Sequence, residues 1–402
     1  MKKKIIALFI ILFSILAFVI ITRNPKVANQ IIISTEDIYD NISGKNEDTT
    51  DISEIKINEL EFKNSSYYYT KLTDEQKKIY KSVGVAVKNL DSNAKIKDYT
   101  FVDDNTTMND VKVAIQNFFL DHPEVFYVSN DYTVSTIELF NSKRIEVELT
   151  YLVKDKNDLS KKVSEIKSVI DPIINQAKNM DKFNAELYIH DKICEMCTYY
   201  KYTNIENVPE ECHTIYGCLV NKQAVCDGLS KSLQLMLDKV EIENILVTGR
   251  LHDQAHAWNM INLEDKWYHV DITSDKSVKS ESGKEEIIHS YFNVTSERIK
   301  NTNSLDMENI LPVANSTDNN YYIKTGKYIN ISDSFSFKLK EILKNNDNNN
   351  LVEFAVDKRM SAVPEKMSYV LQDSNYSEYT NRNLNRFNYY NVLNTYIILK
   401  NN

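Results

Sequence analysis

The chain has 402 residues, enough for two or three domains, and its apolar fraction of 42% supports a sizeable core. The formal net charge is −9, with acidic and basic residues interleaved. That excludes a nucleic-acid partner, which would call for a basic stripe, and it constrains function little further.

The chain opens on Met1-Lys-Lys-Lys4, followed by an apolar run from Ile5 to Ile21. The run is at the short end for a membrane span and long for the core of a signal peptide. No small-x-small cleavage site follows it. Residues 1–22 are therefore expected to form a signal anchor, a single transmembrane helix. The three lysines would stay in the cytoplasm and the body would be extracellular. A cleaved signal and a secreted body are the alternative. Residues 23–64 are polar and acidic without a sustained period, and read as a linker.

Residues 65–181 read as an α+β extension. Thr73-Asp-Glu-Gln76 is a capping-box sequence that opens a helix with Ile79, Val83, Val87 and Leu90 on one face. Thr107 to Asp110 is expected to open a second helix carrying Val111, Ala114, Ile115 and Phe118. Pro123 stops it, and the aromatic run after it starts a strand. Ile145, Val147, Leu149 and Tyr151 alternate with polar residues, the pattern of a half-buried strand. Residues 157–180 read as helical, with Pro172 marking a kink or a break. His122, in a turn before proline, reads as structural.

Residues 182–300 carry the chemistry. A helix is expected from Phe183 to about Thr198. Cys226 then precedes Leu229, Leu233, Met236, Leu237 and Val240, spaced three or four apart, so it sits in the first turn of a helix with one buried face. The unsatisfied N–H groups and the dipole there favour an anion, and thus a thiolate. Asp227 opposes this unless it faces solvent or caps the helix. His256 to Ile261 and Lys266 to Asp271 read as two strands of a hairpin. A turn centred on Leu263 and Glu264 would place Met260 opposite Trp267, Trp258 opposite His269, and His256 opposite Asp271. Leu-Glu is not a favoured two-residue turn. A cysteine, a histidine and an orienting carboxylate together make a nucleophile that attacks carbonyls and forms an acyl-thioester. A buried Cys, a core His and a turn Asp also occur together without function.

The neighbouring residues sharpen that reading. Tyr216-Gly-Cys-Leu-Val-Asn-Lys-Gln-Ala-Val-Cys226-Asp-Gly228 resembles the nucleophile motif of the transglutaminase-like superfamily. His256-Ala-Trp-Asn259 resembles its histidine motif, and Trp267-Tyr-His-Val-Asp271-Ile-Thr273 its aspartate motif. The resemblance implies a papain-like core with Cys226 as nucleophile, His256 as general base and acid, and Asp271 as the orienting group. It also implies that the helix beginning at Phe183 packs behind the nucleophile helix. Two positions depart from the family pattern: Leu229 stands where an aromatic residue is usual, and Ser274 where tryptophan is frequent. Asp275 is retained. These departures bear on the walls of the site and on substrate preference.

The remaining cysteines are Cys194, Cys197, Cys212 and Cys218. Outside the cell they would form up to two disulfides, each of the first pair joining one of the second, or remain buried thiols. Zinc held by Cys194, Cys197, Cys212 and His213 is a third arrangement, but the adjacency of Cys212 and His213 fits structural zinc poorly. His252 lies near His256 and would compete for the base role; the Ala-Trp that follows favours His256. His269 shares the face of the triad and either lines the cleft or packs.

Residues 301–320 read as a linker. Residues 321–402 read as a small α/β domain: a helix at Phe335–Leu343, a strand at Leu351–Asp357, a helix at Ser361–Leu371 and a final strand at Tyr389–Leu399. The expected whole is an α+β protein: a papain-like transglutaminase core between an amino-terminal extension and a carboxy-terminal domain, held outside a cell membrane. The expected function is acyl transfer on glutamine carboxamides or peptides of protein substrates, including cell-wall or surface proteins, through a thioester on Cys226, with no cofactor or metal required. A cysteine peptidase or amidase with the same triad, and a non-catalytic surface module that keeps the fold for binding, are the alternatives.

Overall fold

The structure is a computed structural model. It describes residue 60 and residues 67–96, 99–139, 142–276, 278–279, 285–346, 351–373, 375–376, 389–392 and 394–399. The chain divides into two compact units, residues 1–51 and 52–402, and every described residue belongs to the second. The expected membrane segment, residues 1–22, and all but Leu60 of the expected linker lie outside the described residues. Among the described residues no helix is long and apolar enough to cross a membrane.

Helix α1 (Asp74–Asn89) opens with the capping box read from the sequence: Thr73 accepts from the Gln76 N–H, and the Gln76 side chain accepts from the Thr73 N–H. Strand β1 (Asn93–Ile96) follows. Helix α2 (Asp104–Asp121) begins a turn earlier than the Thr107 start expected, because Asp103 caps it by accepting from the Thr106 N–H. Strands β2 (Val128–Leu139) and β3 (Ser142–Tyr151) complete an antiparallel sheet of order β1-β3-β2.

Helix α3 (Lys156–Ala177) runs unbroken through Pro172. Of the kink or break expected at Pro172, the break is absent because Val163, Ile166, Ile170, Ile173, Ile174 and Ala177 form one buried stripe across the proline. Packing of that stripe offsets the lost backbone hydrogen bond. Helix α4 (Lys182–Met196) leads to strand β4 (Thr198–Tyr199). A short helix α5 (Ile215–Leu219) precedes strand β5 (Gln223–Ala224), which pairs parallel with β4. Helix α6 (Cys226–Lys239) packs between α4 and the central sheet.

That sheet is formed by β6 (Asn244–Leu251), β7 (Gln254–Leu263) and β8 (Lys266–Val270). Strands β9 (Val278–Lys279) and β10 (Glu285–Glu286) form a short hairpin beyond it. Helix α7 (Ser296–Ile299) precedes β11 (Asn303–Leu305), which pairs with β6 and gives the order β11-β6-β7-β8. Strand β11 falls inside the segment read as a linker. Three residues are too few to display a period, so only the neighbouring edge of β6 reveals it.

The β7–β8 register differs from the expected one by two residues. Met260 pairs with His269, Asn259 with Val270 and Leu263 with Lys266. The turn residues are Glu264 and Asp265, both at positive φ (54° and 61°), as a type I′ hairpin turn requires. The two-residue shift moves Asp271 one step past the end of β8 but leaves it on the same face as His256, because side chains alternate with period two.

In the carboxy-terminal segment, α8 (Tyr321–Lys324), β12 (Tyr328–Ile329), α9 (Phe335–Asn345), β13 (Leu351–Val356) and α10 (Val363–Leu371) follow in order. The final strand read as continuous is a hairpin of β14 (Tyr389–Val392) and β15 (Thr395–Leu399), with Asn394 at positive φ. The sheet order is β12-β13-β15-β14, with β12 parallel to β13.

Glu264 and Asp265 are poor residues for two consecutive left-handed positions. Replacing them by Asn-Gly is expected to raise unfolding stability by about 0.5–1 kcal/mol in urea titrations. No gain would mean that the turn is not the one described.

Candidate active site

Cys226 is the first residue of α6, and Val225 before it offers no side-chain cap. In the first turn the Gly228 N–H donates to Asp227 Oδ1 at 3.0 Å and the Leu229 N–H to the Val225 carbonyl at 3.1 Å, while those of Cys226 and Asp227 have no partner within the helix and point toward its thiol end. The helix start is held by close backbone approach. A Cβ added at Gly228 would lie 2.5 Å from the Cys212 carbonyl oxygen, and one at Gly217 would lie 2.0 Å from that of Glu211. Both glycines of the nucleophile motif are therefore packing requirements. Val225 N–H donates to the Cys212 carbonyl at 3.0 Å, and Tyr200 N–H to the Ala224 carbonyl at 2.8 Å, which pins the approach to Cys226 from both sides. Cys226 itself is partly exposed.

His256 enters from β7 and is buried. Its Nε2 lies 2.8 Å from Asp271 Oδ2, and Cys226 stands close enough to act on the charge of the ring. With Nε2 committed to the carboxylate, Nδ1 is the nitrogen left to the thiol. The ring stacks on Trp258, with centroids 5.8 Å apart and planes at 23°. Asp271 is fully buried and held twice by Ser274: the Ser274 N–H donates to Oδ1 at 3.1 Å and its hydroxyl to Oδ2 at 2.8 Å. The serine that departs from the family pattern thus orients the carboxylate.

Burial alone would push the His256 imidazole down, but the Asp271 carboxylate and then Cys226 more than offset it, and its pKa rises to about 10. For Asp271, burial opposes the charge; the His256 ring and the Ser274 donors outweigh it and hold the carboxyl below its ordinary range. A cysteine sulfur and an imidazole that share one mobile proton, with a buried carboxylate behind the ring, can supply a nucleophile and then a proton for a leaving group.

Asp227 turns its charge away from this pair. It accepts from His213 Nδ1 at 3.0 Å, and Lys231 lies 3.7 Å off. Burial works against its ionisation, but Lys231 and His213 keep its pKa below the ordinary value. His269 packs rather than lining the cleft. Trp258 Nε1 donates to its Nδ1 at 3.0 Å, and its Nε2 meets Ser296 Oγ at 3.0 Å. Burial, with Lys300 nearby, lowers its pKa to about 3, so it is neutral. His252 lies exposed in the β6–β7 turn at positive φ and does not join the site. His122 is buried with its Nδ1 2.8 Å from Glu124 Oε1, as a structural histidine would be.

Cys194, Cys197, Cys212 and Cys218 are buried, and no disulfide forms among the described residues. Cys194, Cys197, Cys212 and His213 do not gather into a ligand cluster. The sequence reading missed Tyr199. Pairing of β4 with β5 brings it beside the nucleophile; burial first, then the charge of Cys226, raises its phenol above the ordinary value. The only sequence signal was the aromatic run at Tyr199, Tyr200 and Tyr202, which does not say what it faces.

The geometry defines a cysteine–histidine–aspartate relay at a helix start in an α+β fold. Residues 168–272 match the family model described as the transglutaminase-like superfamily, whose members are typically cysteine enzymes. The matched segment runs from the second half of α3 through α4 and α6 to just past Asp271. No curated protein matches the sequence. Among solved structures, a TGase is 10% identical, with 60% of this chain and 59% of that chain covered and a TM-score of 0.28. A proposed cysteine protease from Cytophaga hutchinsonii is 12% identical, with 40% and 67% covered and a TM-score of 0.21. A proposed protease from Parabacteroides distasonis is 9% identical, with 35% and 36% covered and a TM-score of 0.19. The chain spans less than two thirds of the first of these.

Because the folded pKa of His256 is raised, its cation stabilises the fold fully below the ordinary histidine value near 6.5, and that contribution is lost as pH rises through about 10. In Asp271→Asn the His256 titration followed by NMR is expected to fall by about 1–3 pH units. An unchanged midpoint would mean that Asp271 does not set the charge of the ring.

Proposed function

We propose that the chain is a transglutaminase-like cysteine enzyme that transfers acyl groups from amide substrates. One observation carries this reading: partly exposed Cys226 stands beside a buried His256, acts on its charge, and Asp271 holds that ring at 2.8 Å. The Cys226 sulfur attacks the amide carbon, and the oxyanion is received by N–H groups at the start of α6, that of Cys226 among them. The C–N bond breaks, His256 gives its proton to the departing amine or ammonia, and the acyl group remains as a thioester. An incoming amine then loses a proton to His256 as the C–S bond breaks, leaving a new amide. Water in place of the amine gives hydrolysis, which makes a peptidase or amidase with the same triad the second reading. Support for it is the identical requirement for Cys226, His256 and Asp271 in both reactions.

The substrates proposed are glutamine side chains or peptide bonds of proteins, including wall or surface proteins. The apolar run from Ile5 to Ile21 behind three lysines supports a membrane-anchored, extracellular body.

The full chain is to be incubated with a glutamine-bearing protein and a biotinylated primary amine, following amine incorporation, ammonia release and new termini. Incorporation that needs Cys226 and falls by at least about 10³-fold in His256→Ala supports acyl transfer to amines. New termini or ammonia without incorporation moves the assignment to hydrolysis. If iodoacetamide modifies Cys226 no faster than an ordinary thiol, and equally in His256→Ala, the site does not activate its cysteine and the binding-module reading replaces both.

A further inference from the structure

A second cluster of chemistry-bearing side chains lies outside the Cys226 centre. Asp191 on α4 has its Oδ1 2.9 Å from Nδ1 of His190 and 3.0 Å from Nε2 of His289. One ligand atom from each of the three residues lies within 4.8 Å of the others. We propose that His190, Asp191 and His289 form a zinc site.

Zinc binds nitrogen and oxygen at about 2.0–2.2 Å in tetrahedral geometry, which sets neighbouring ligand atoms about 3.3 Å apart. The two nitrogens would move a few tenths of an ångström away from Asp191 and, from a separation of at most 4.8 Å, toward each other to admit the ion. Behind each imidazole stands a buried carboxylate. His289 Nδ1 is 2.6 Å from Glu353 Oε1, and Glu353 is itself fixed by the His289 N–H at 3.0 Å and the Tyr322 hydroxyl at 2.8 Å. His190 Nε2 is 3.4 Å from Asp275 Oδ2, while Asp275 Oδ1 accepts from the Tyr291 N–H at 2.9 Å. A carboxylate hydrogen-bonded to the far nitrogen, as Glu353 is to His289, is what orients an imidazole toward a metal; Asp275 faces His190 as an ion pair without a hydrogen bond. The His289 ring is further clamped by Tyr321, stacked at 3.8 Å and 13°.

Three carboxylates, from Asp191, Asp275 and Glu353, surround the two imidazoles, and a dication would replace the two protons that the imidazoles carry. On binding, the two nitrogens that face Asp191 release the protons they donate to it, while His289 Nδ1 keeps its proton toward Glu353. The His190 and His289 side chains are 0% and 8% exposed, but Asp191 is 34% exposed, so the ion has a route in from solvent, and a water would complete the tetrahedral set as fourth ligand. Two nitrogens and one oxygen suit zinc better than calcium or magnesium, which prefer all-oxygen shells. The ion would join α4, the segment that carries His289, and through Glu353 the carboxy-terminal sheet.

The test uses the full chain, stripped with EDTA and titrated with zinc chloride against a chromophoric chelator, alongside thermal melting. One equivalent is expected to bind at micromolar affinity or tighter and to raise the melting temperature. Asp191→Ala changes a partly exposed helix residue and is expected to fold while losing affinity at least about 100-fold; Glu353→Gln is expected to lose about 10–100-fold. Cobalt in place of zinc is expected to show a four-coordinate visible band without a thiolate charge-transfer band, unchanged in Cys226→Ala. Failure to bind one equivalent, affinity undiminished in Asp191→Ala, or a thiolate band each overturns the proposal. The readouts do not depend on activity, so the outcome is separate from that of the acyl-transfer reading.

Discussion

The structure depends most on one buried carboxylate. Asp271 is fully enclosed, accepts two hydrogen bonds from Ser274, and faces the His256 ring at 2.8 Å. An unpaired carboxylate in that position would cost several kcal/mol, so the cation opposite it is a condition of folding as much as of chemistry. Removing one partner from such a pair typically costs about 3–5 kcal/mol. The same interaction holds the imidazole charged well above its ordinary range and turns its second nitrogen toward Cys226.

Around this pair, packing and charge are arranged so that α6 delivers the thiol. Gly217 and Gly228 let backbone segments pass at distances no side chain permits. Asp227, next to the nucleophile, would oppose a neighbouring anion, but His213 and Lys231 take up its charge. The tryptophan of the histidine motif serves twice: it stacks on His256 and donates to the neutral His269, which is anchored in turn at Ser296. The strand bearing the base is thus tied to α7.

A second polar network runs behind the site. Asp275 lies four residues after Asp271, and its N–H donates to the Asp271 carbonyl at 3.1 Å. Its carboxylate meets His190 and the Tyr291 N–H. Through Asp191, His289 and Glu353 the same network reaches strand β13. Burial raises the Asp275 carboxyl to about 6, with His190 and His289 working against that shift. The chain around the triad is therefore braced by a continuous set of histidines and carboxylates, most of them buried.

Much of this was legible in the chain itself. The Cys226 helix follows from a period of three to four in its apolar residues, the α1 capping box from Thr73 and Gln76, and the three site residues from the motifs around them. Such features are set by a few consecutive residues, and a local code suffices. The two-residue register of the β7–β8 hairpin was not legible, because Glu264 and Asp265 are not the residues a type I′ turn usually selects. Pairing along both strands, and not the turn, decides it. The alternation of side chains keeps His256 and Asp271 on one face in either register. Strand β11, the continuity of α3 through Pro172, Tyr199 beside the thiol, and the meeting of His190, Asp191 and His289 depend on contacts between distant segments. Sequence by itself determined which residues are proposed to carry the chemistry and which helix presents Cys226; tertiary structure decided what stands behind them, because burial and long-range pairing have no local signature.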